Sequence, residues 1–272
     1  MRLRLLLAVA FTGTTLLAGY TARESWIPVA GHTAGPRPFF TTVYMTNPAT
    51  TMNDVTVSFF ASAQPHVAPR TIALELGPNQ SGAVDLGPQL VGEEGAVGAL
   101  RIRSTAPLLA EARVFSANAM GTVLHAIPAQ FAIGTAESTI LHVPAGARYK
   151  LYAVETHGFP LYFAVKLMPD NLERRLYLSP NEQRSWDFGE LFRGITPSAL
   201  QITGVNGSGK IIVAGTAIAP QSQDVTAFEM SLPTEARHRL RWPELTAYIA
   251  VVLAIIAALF RMRQLTTDNR QP

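Results

Sequence analysis

The chain has no cysteine, which excludes disulfides, iron–sulfur clusters and thiol catalysis. That leaves the compartment open, because an exported domain of this size can be stable on its hydrophobic core alone. There is no Gly-x-Ser-x-Gly elbow of the kind that presents a hydrolase serine. No basic stripe with interleaved aromatics is present, so nucleic acid is not an expected partner. The histidines, His32, His66, His125, His142, His157 and His238, include no two at metal-ligand spacing. A zinc site would have to be assembled across strands, with His125 and His142 as its candidates. No catalytic residue, cofactor or metal ligand is therefore named.

Charge is distributed unevenly. The net value is +3. Between Glu24 and Glu235 there are 13 Lys/Arg and 17 Asp/Glu, a net of −4, so the two ends together carry +7. The basic pI belongs to the ends of the chain and not to a ligand-binding face.

Those ends carry the two apolar runs. Leu245 to Phe260, 16 residues, contains no charge. Arg237, Arg239 and Arg241 precede it, and Arg261 and Arg263 follow. As a helix the run would span roughly 24 Å, slightly less than a hydrocarbon layer of ~30 Å. A transmembrane helix is predicted over 243–262, with a cytoplasmic tail over 263–272. Trp242 suits the headgroup level, and the flanking arginines can snorkel. Pro243 fits a first helical turn, and Glu244 fits the positive end of the dipole. Within the run, Ala247, Ala250, Ala254 and Ala257 recur at helical spacing, a stripe of small residues that lets helices approach closely in lipid. Residues 1–22 read as a signal peptide or a retained signal-anchor helix. Arg2 and Arg4 precede an apolar stretch, and the cleavage region Gly19-Tyr20-Thr21-Ala22 is poor. Ala8, Thr12, Thr15 and Gly19 form a second small stripe. The expected topology puts the bulk of the chain outside a bacterial inner membrane and the C-terminus in the cytoplasm.

The middle of the chain repeats itself. Leu76-Gly77-Pro78-Asn79-Gln80 matches Leu178-Ser179-Pro180-Asn181-Glu182, and Asp85-Leu86-Gly87 matches Asp187-Phe188-Gly189, both at an offset of 102. Ala99-Leu100-Arg101-Ile102 then matches Ala199-Leu200-Gln201-Ile202 at an offset of 100. A period of this size is a domain length, which predicts two β-domains over 24–132 and 138–234. Period-two alternation at Val55, Val57 and Phe59, and again at Leu161, Phe163, Val165 and Leu167, indicates strands with one buried face. Clusters of Pro, Gly and Asn separate the strands at the spacing of an antiparallel sandwich. No long amphipathic helix interrupts them. Short helical turns are expected around 88–91 and 190–193.

Thr46-Asn47-Pro48 followed by Asp54-Val55-Thr56-Val57-Ser58-Phe59 resembles bacterial extracytoplasmic immunoglobulin-like modules. Ile27-Pro28-Val29-Ala30-Gly31-His32 with Phe39-Phe40-Thr41-Thr42 is similar to secreted bacterial tandem-sandwich proteins. The resemblance spans roughly 26–232. It implies a mainly β fold of two tandem immunoglobulin-like sandwiches, and modules that act as spacers, docking surfaces or adhesive units. Fold alone does not fix function.

Two motifs imitate catalytic ones. Gly204-Val205-Asn206-Gly207-Ser208-Gly209-Lys210 approaches a phosphate loop, but Ile211 stands where magnesium chemistry needs Ser or Thr, and a β-type run follows. A hairpin turn on Asn206-Gly207 is the expected structure. Asp187-Phe188-Gly189 spells the kinase metal triplet without the other kinase elements, and it reads as a strand end. The expected function is a non-catalytic membrane-anchored assembly subunit, docked outside a membrane complex and partnered by the bilayer and other integral subunits. A free-standing periplasmic or surface binding protein is the alternative, and an exported hydrolase is third.

Overall fold

The computed structural model describes residues 20–33, 39–92, 95–116, 122–143, 148–193, 199–219 and 225–232. The run Leu245 to Phe260, the stripes Ala247, Ala250, Ala254, Ala257 and Ala8, Thr12, Thr15, Gly19, and the flanking Trp242, Arg237, Arg239, Arg241, Arg261 and Arg263 lie outside the described residues. By contact the chain divides into Met1–Ser231 and Leu232–Pro272. The first of these units is described below. Among the described residues, no helix is long and apolar enough to cross a membrane.

The described chain is mainly β, built of antiparallel sheets compatible with a β-sandwich. Its first set of strands is β1 (Thr21–Thr33), β2 (Phe39–Thr46), β3 (Asn53–Ala61), β4 (Arg70–Leu76), β5 (Ser81–Asp85), β6 (Gly95–Ser116), β7 (Thr122–His125) and β8 (Ile127–Pro128). Thr21 and Ala22, read above with the N-terminal segment, open β1 and pair with Leu109 and Leu108. These strands form one sheet in the order β4-β3-β6-β1-β2-β5, with β7 on β6, β8 on β1 and a further pairing of β6 with β2.

β6 holds this sheet together because it bends. Gly98 to Ser104 pair with β3, and Leu109 to Ser116 pair with β2. Pro107, which has no N–H for a ladder, lies between the two stretches. Asn53 secures the bend: its Oδ1 accepts from the Ala106 N–H (2.9 Å) and the Thr105 hydroxyl (3.1 Å), and its Nδ2 donates to the Ala106 carbonyl (3.1 Å).

The second set is β9 (Ser138–His142), β10 (Arg148–Glu155), β11 (Leu161–Met168), β12 (Glu173–Leu178), β13 (Gln183–Asp187), β14 (Ala199–Gly207), β15 (Ile211–Ile218) and β16 (Val225–Glu229). It makes two sheets, β12-β11-β14-β9 and β13-β10-β15-β16. The first set has the same neighbours, β4-β3-β6-β1 and β5-β2-β6-β7, with bent β6 standing for both β14 and β15. Registers agree as well. Val57 faces Ile102 and Val165 faces Ile202, while Val43 faces Ala112 and Leu151 faces Gly215.

Alternation fills the first core with Ile27, Val43, Val55, Val57, Leu100 and Ile102, all essentially buried. The opposite face of this layer is not uniformly wet. Trp26, next to Ile27, is 0% exposed. Its ring lies 5.1 Å from that of Phe60, and the Arg101 guanidinium sits 5.7 Å from the Trp26 ring and 5.2 Å from the Phe60 ring. Phe60 and Arg101 thus cover Trp26 on that face, and β1 also packs against β10 and β15 of the second set.

Candidate functional site

The most demanding polar residue is Glu155, at the end of β10. Its side chain is 0% exposed. Oε1 accepts from the backbone N–H of His157 (2.7 Å) and of Lys210 (3.2 Å). Oε2 accepts from Gly158 and Asn181, each at 2.8 Å. One carboxylate therefore ties the β10–β11, β12–β13 and β14–β15 connections together. A carboxylate accepts only, which matches a cage of donors.

Asn47, just after β2, holds the same place in the first set and is also 0% exposed. Its cage has the opposite polarity: Nδ2 donates to the carbonyls of Thr51 (2.8 Å), Leu76 (3.1 Å) and Gly77 (2.9 Å). Each residue meets the adjoining four-residue turn. In Gly77 to Gln80 and in Ser179 to Glu182 the fourth N–H returns to the first carbonyl at 3.1 Å. Proline is second in both turns, and Asn79 (φ 54°) or Asn181 (φ 57°) is third, the arrangement of a type II turn. The fourth side chain, Gln80 or Glu182, caps the first N–H.

The catalytic look-alikes dissolve into structure. Asp187 caps the helical turn Phe188–Leu191, accepting from the Gly189 N–H at 3.0 Å, and Arg148 donates to it at 2.8 and 2.6 Å. Burial pushes its carboxyl up, but the Arg148 hydrogen bond, the Gly189 N–H and the charges of Arg148 and Lys150 outweigh this and hold it below the ordinary value. The cap starts the turn at Phe188, two residues before the expected position. Asp85, its counterpart, instead accepts from the Thr42 hydroxyl at 2.6 Å, and the first turn begins later, at Pro88, and runs to Val91.

Gly204 to Gly207 end β14, and Ser208 to Lys210 form a short connection that is not a hairpin. β14 pairs with β11 and β9, and β15 pairs with β10 and β16, so the chain passes from one sheet to the other. The glycines answer to close approach: a Cβ on Gly204 would lie 2.0 Å from the Gly134 carbonyl oxygen, and Gly207 has φ +125°.

Of the described histidines, His32, His66, His142 and His157 lie on β1, in a loop, on β9 and in the β10–β11 connection. His125, on β7, meets Glu229 on β16, whose Oε1 accepts from the His125 backbone N–H and lies 3.1 Å from Nδ1. Among the described residues no group of three or more acidic or histidine side chains is placed to hold a metal ion.

This contact belongs to a seam between the two sets of strands. Its other end is Gln183, 0% exposed, whose Nε2 donates to the Pro28 carbonyl at 3.2 Å and whose backbone carbonyl accepts from Ala63 at 2.8 Å. Neither Glu155 nor this seam was named from the sequence. Gln80 and Glu182 share the visible offset of 102, but Asn47 and Glu155 are 108 apart, as are Val57 and Val165, so a fixed offset misses them.

Outward-facing aromatics are paired across strands. Phe40 and Phe115 stack at 4.8 Å, Arg113 lies 5.6 Å over Tyr44, and Tyr162 and Tyr177 meet at 4.8 Å on opposed β11 and β12 positions. A cleft of about 650 Å³ beside β3 and β4 is lined by Phe59, Val67, Arg70, Leu90 and Val91 among others, and Arg70 is turned to the Pro88 carbonyl at 3.3 Å.

No known family model matches the chain, and no characterised protein matches it in sequence. Among solved structures it is similar to one described as the structure of allantoicase, at 9% identity and a TM-score of 0.22, over 72% of this chain and 78% of that one. A likeness at that level carries no argument about fold or activity.

Proposed function

We propose that the protein is a non-catalytic, membrane-anchored assembly subunit. Its two β-halves would be tandem immunoglobulin-like sandwiches that dock on the outer face of a membrane complex, with the helix over 243–262 packing among other integral subunits. The carrying observation is how the conspicuous polar side chains are used. Glu155, Asn47, Asn53 and Asp187 each satisfy the protein's own backbone. Such residues make a rigid body and leave paired aromatics such as Phe40–Phe115 at the surface as contact area. The uncharged run Leu245 to Phe260 and its alanine stripe supply the anchor and a second contact.

Purification of the full chain from membranes in mild detergent tests this. Stoichiometric recovery of other membrane proteins is expected. Recovery of the chain alone, as a monomer, contradicts the proposal.

The exposed Tyr162–Tyr177 pair, with Tyr162 50% exposed, favours a second reading, a free-standing binding protein that uses a sheet face. Retention of a glycan or peptide by the monomeric chain, lost in Tyr162→Ala, would select it.

A further inference from the structure

We propose that His125 and Glu229 form a proton-dependent latch that holds β16 against β7 and so ties the second set of strands to the first. β7 is paired only with β6, and β16 only with β15, among the described residues. No backbone ladder joins the two edges. Side chains do so: Thr122 Oγ1 accepts from the Ala227 N–H at 3.2 Å, and Glu229 Oε1 takes both the His125 backbone N–H and Nδ1. A single carboxylate oxygen thus carries two contacts to one residue, and the second depends on the state of the imidazole.

The groups around the ring favour its charged form. Glu111, on β6, stands directly opposite His125 in the register, and Glu229 approaches from β16. Arg113, opposite Val123 on β6, is turned over the Tyr44 ring of β2. β7 itself carries no other titratable group. The Glu229 hydrogen bond raises the His125 pKa above its ordinary 6.5, partial burial works against this, and the charges of Glu229 and Glu111 add to the rise. A raised value in the folded state means that the latch contributes fully below the ordinary pKa and fades as pH climbs through the higher folded value.

What the latch governs is the far edge of β16 and not its exit. Beyond the strand, the Ser231 N–H donates to the Ile140 carbonyl at 2.8 Å and the Ser231 carbonyl accepts from the Thr139 hydroxyl at 2.6 Å. Opening therefore frees this end of the seam, with Gln183 still bonded to Pro28 and Ala63, while the chain leaving toward Leu232 stays clamped to β9. The inference rests on this geometry and is independent of the assembly-subunit reading.

Amide hydrogen exchange on the full chain in detergent, corrected for the intrinsic pH dependence, tests it. Between about pH 5.5 and about pH 8, protection of 122–125 and 225–229 should fall at least ~3-fold, while the interior of β3 and β11 holds. Glu229→Gln and His125→Gln should each remove the pH dependence, and Glu111→Gln should reduce it. Equal protection at both pH values in the unmodified protein overturns the latch. So does a pH dependence that survives Glu229→Gln. An NMR titration of His125 in the unmodified chain gives an answer even where a variant fails to fold: a pKa at or below the ordinary value overturns the proposal.

Discussion

Glu155 and Asn47 solve one problem with opposite chemistry. At each place several loops converge on a buried point, and one side chain must satisfy the backbone groups that strands leave over. The cage of N–H donors around Glu155 leaves no room for an amide. In Glu155→Gln an NH₂ group would face donors, and at least one buried N–H would lose its partner. Losing a charged, buried acceptor of this kind costs about 3 kcal/mol, to be read as a lower denaturant midpoint at unchanged slope. Tyr149 makes the converse case. Its hydroxyl is buried without a partner among the described residues, over Gly215, where an added Cβ would lie 1.8 Å away. Burial alone pushes this phenol far above its ordinary range. Tyr149→Phe removes an unpaired polar atom and keeps the ring against Phe188. It should be neutral or stabilise by about 1 kcal/mol in the same measurement. A loss of stability would reveal a partner for the hydroxyl.

The strand-end aspartates differ in how they relate to the helical turn that follows. Asp187 caps its turn directly, whereas Asp85 is engaged by Thr42 and leaves the start to Pro88. Asp187→Ala should destabilise the protein by about 1 kcal/mol through the lost cap. The folded-state pKa of Asp187 lies below its ordinary 3.8, so its contribution is present above that value and is lost as pH falls through the lower folded one. Acid unfolding of Asp187→Asn should accordingly lose the steepness that the parent shows in that range, and an unchanged acid limb would contradict the assignment. These elements also show what was readable in advance. The strands β3 and β11 follow from period-two alternation, and the turns at Pro78-Asn79 and Pro180-Asn181 follow from turn chemistry, because both signals are local. The non-pairing of β14 with β15 was not readable. Asn206-Gly207 reads as a turn in the sequence, yet both residues end β14 against β11, and which sheet the next strand joins is decided by partners far away in sequence. Glu155 was invisible for the same reason, since its donors come from three separate connections.

The two sets of strands share a topology but are not independent beads. β1, which carries the buried Trp26, packs against β10 and β15 of the second set, and Gln183 reaches Pro28 and Ala63. The contact also carries unpaired groups: Trp26 Nε1, Arg101 Nε and Gln183 Oε1 have no hydrogen-bond partner among the described residues. Burial further holds the Arg101 guanidinium below its ordinary pKa, helped by the Arg103 charge and opposed by Glu24. Such groups are costly to desolvate, and the seam survives because Trp26 and Phe60 bury large apolar surface around them. A seam stabilised in this way couples the halves as long as its aromatic centre is intact. Calorimetry on the full chain in detergent should therefore show residues 21–231 melting in one cooperative transition, despite a repeat of domain length. Trp26→Ala removes the centre and costs about 3–5 kcal/mol. It should also split the transition in two, because the second set keeps its own sheets while the first loses the cover on β1. Two well-separated transitions in the unmodified chain would mean that the seam contributes less than the sheets it joins.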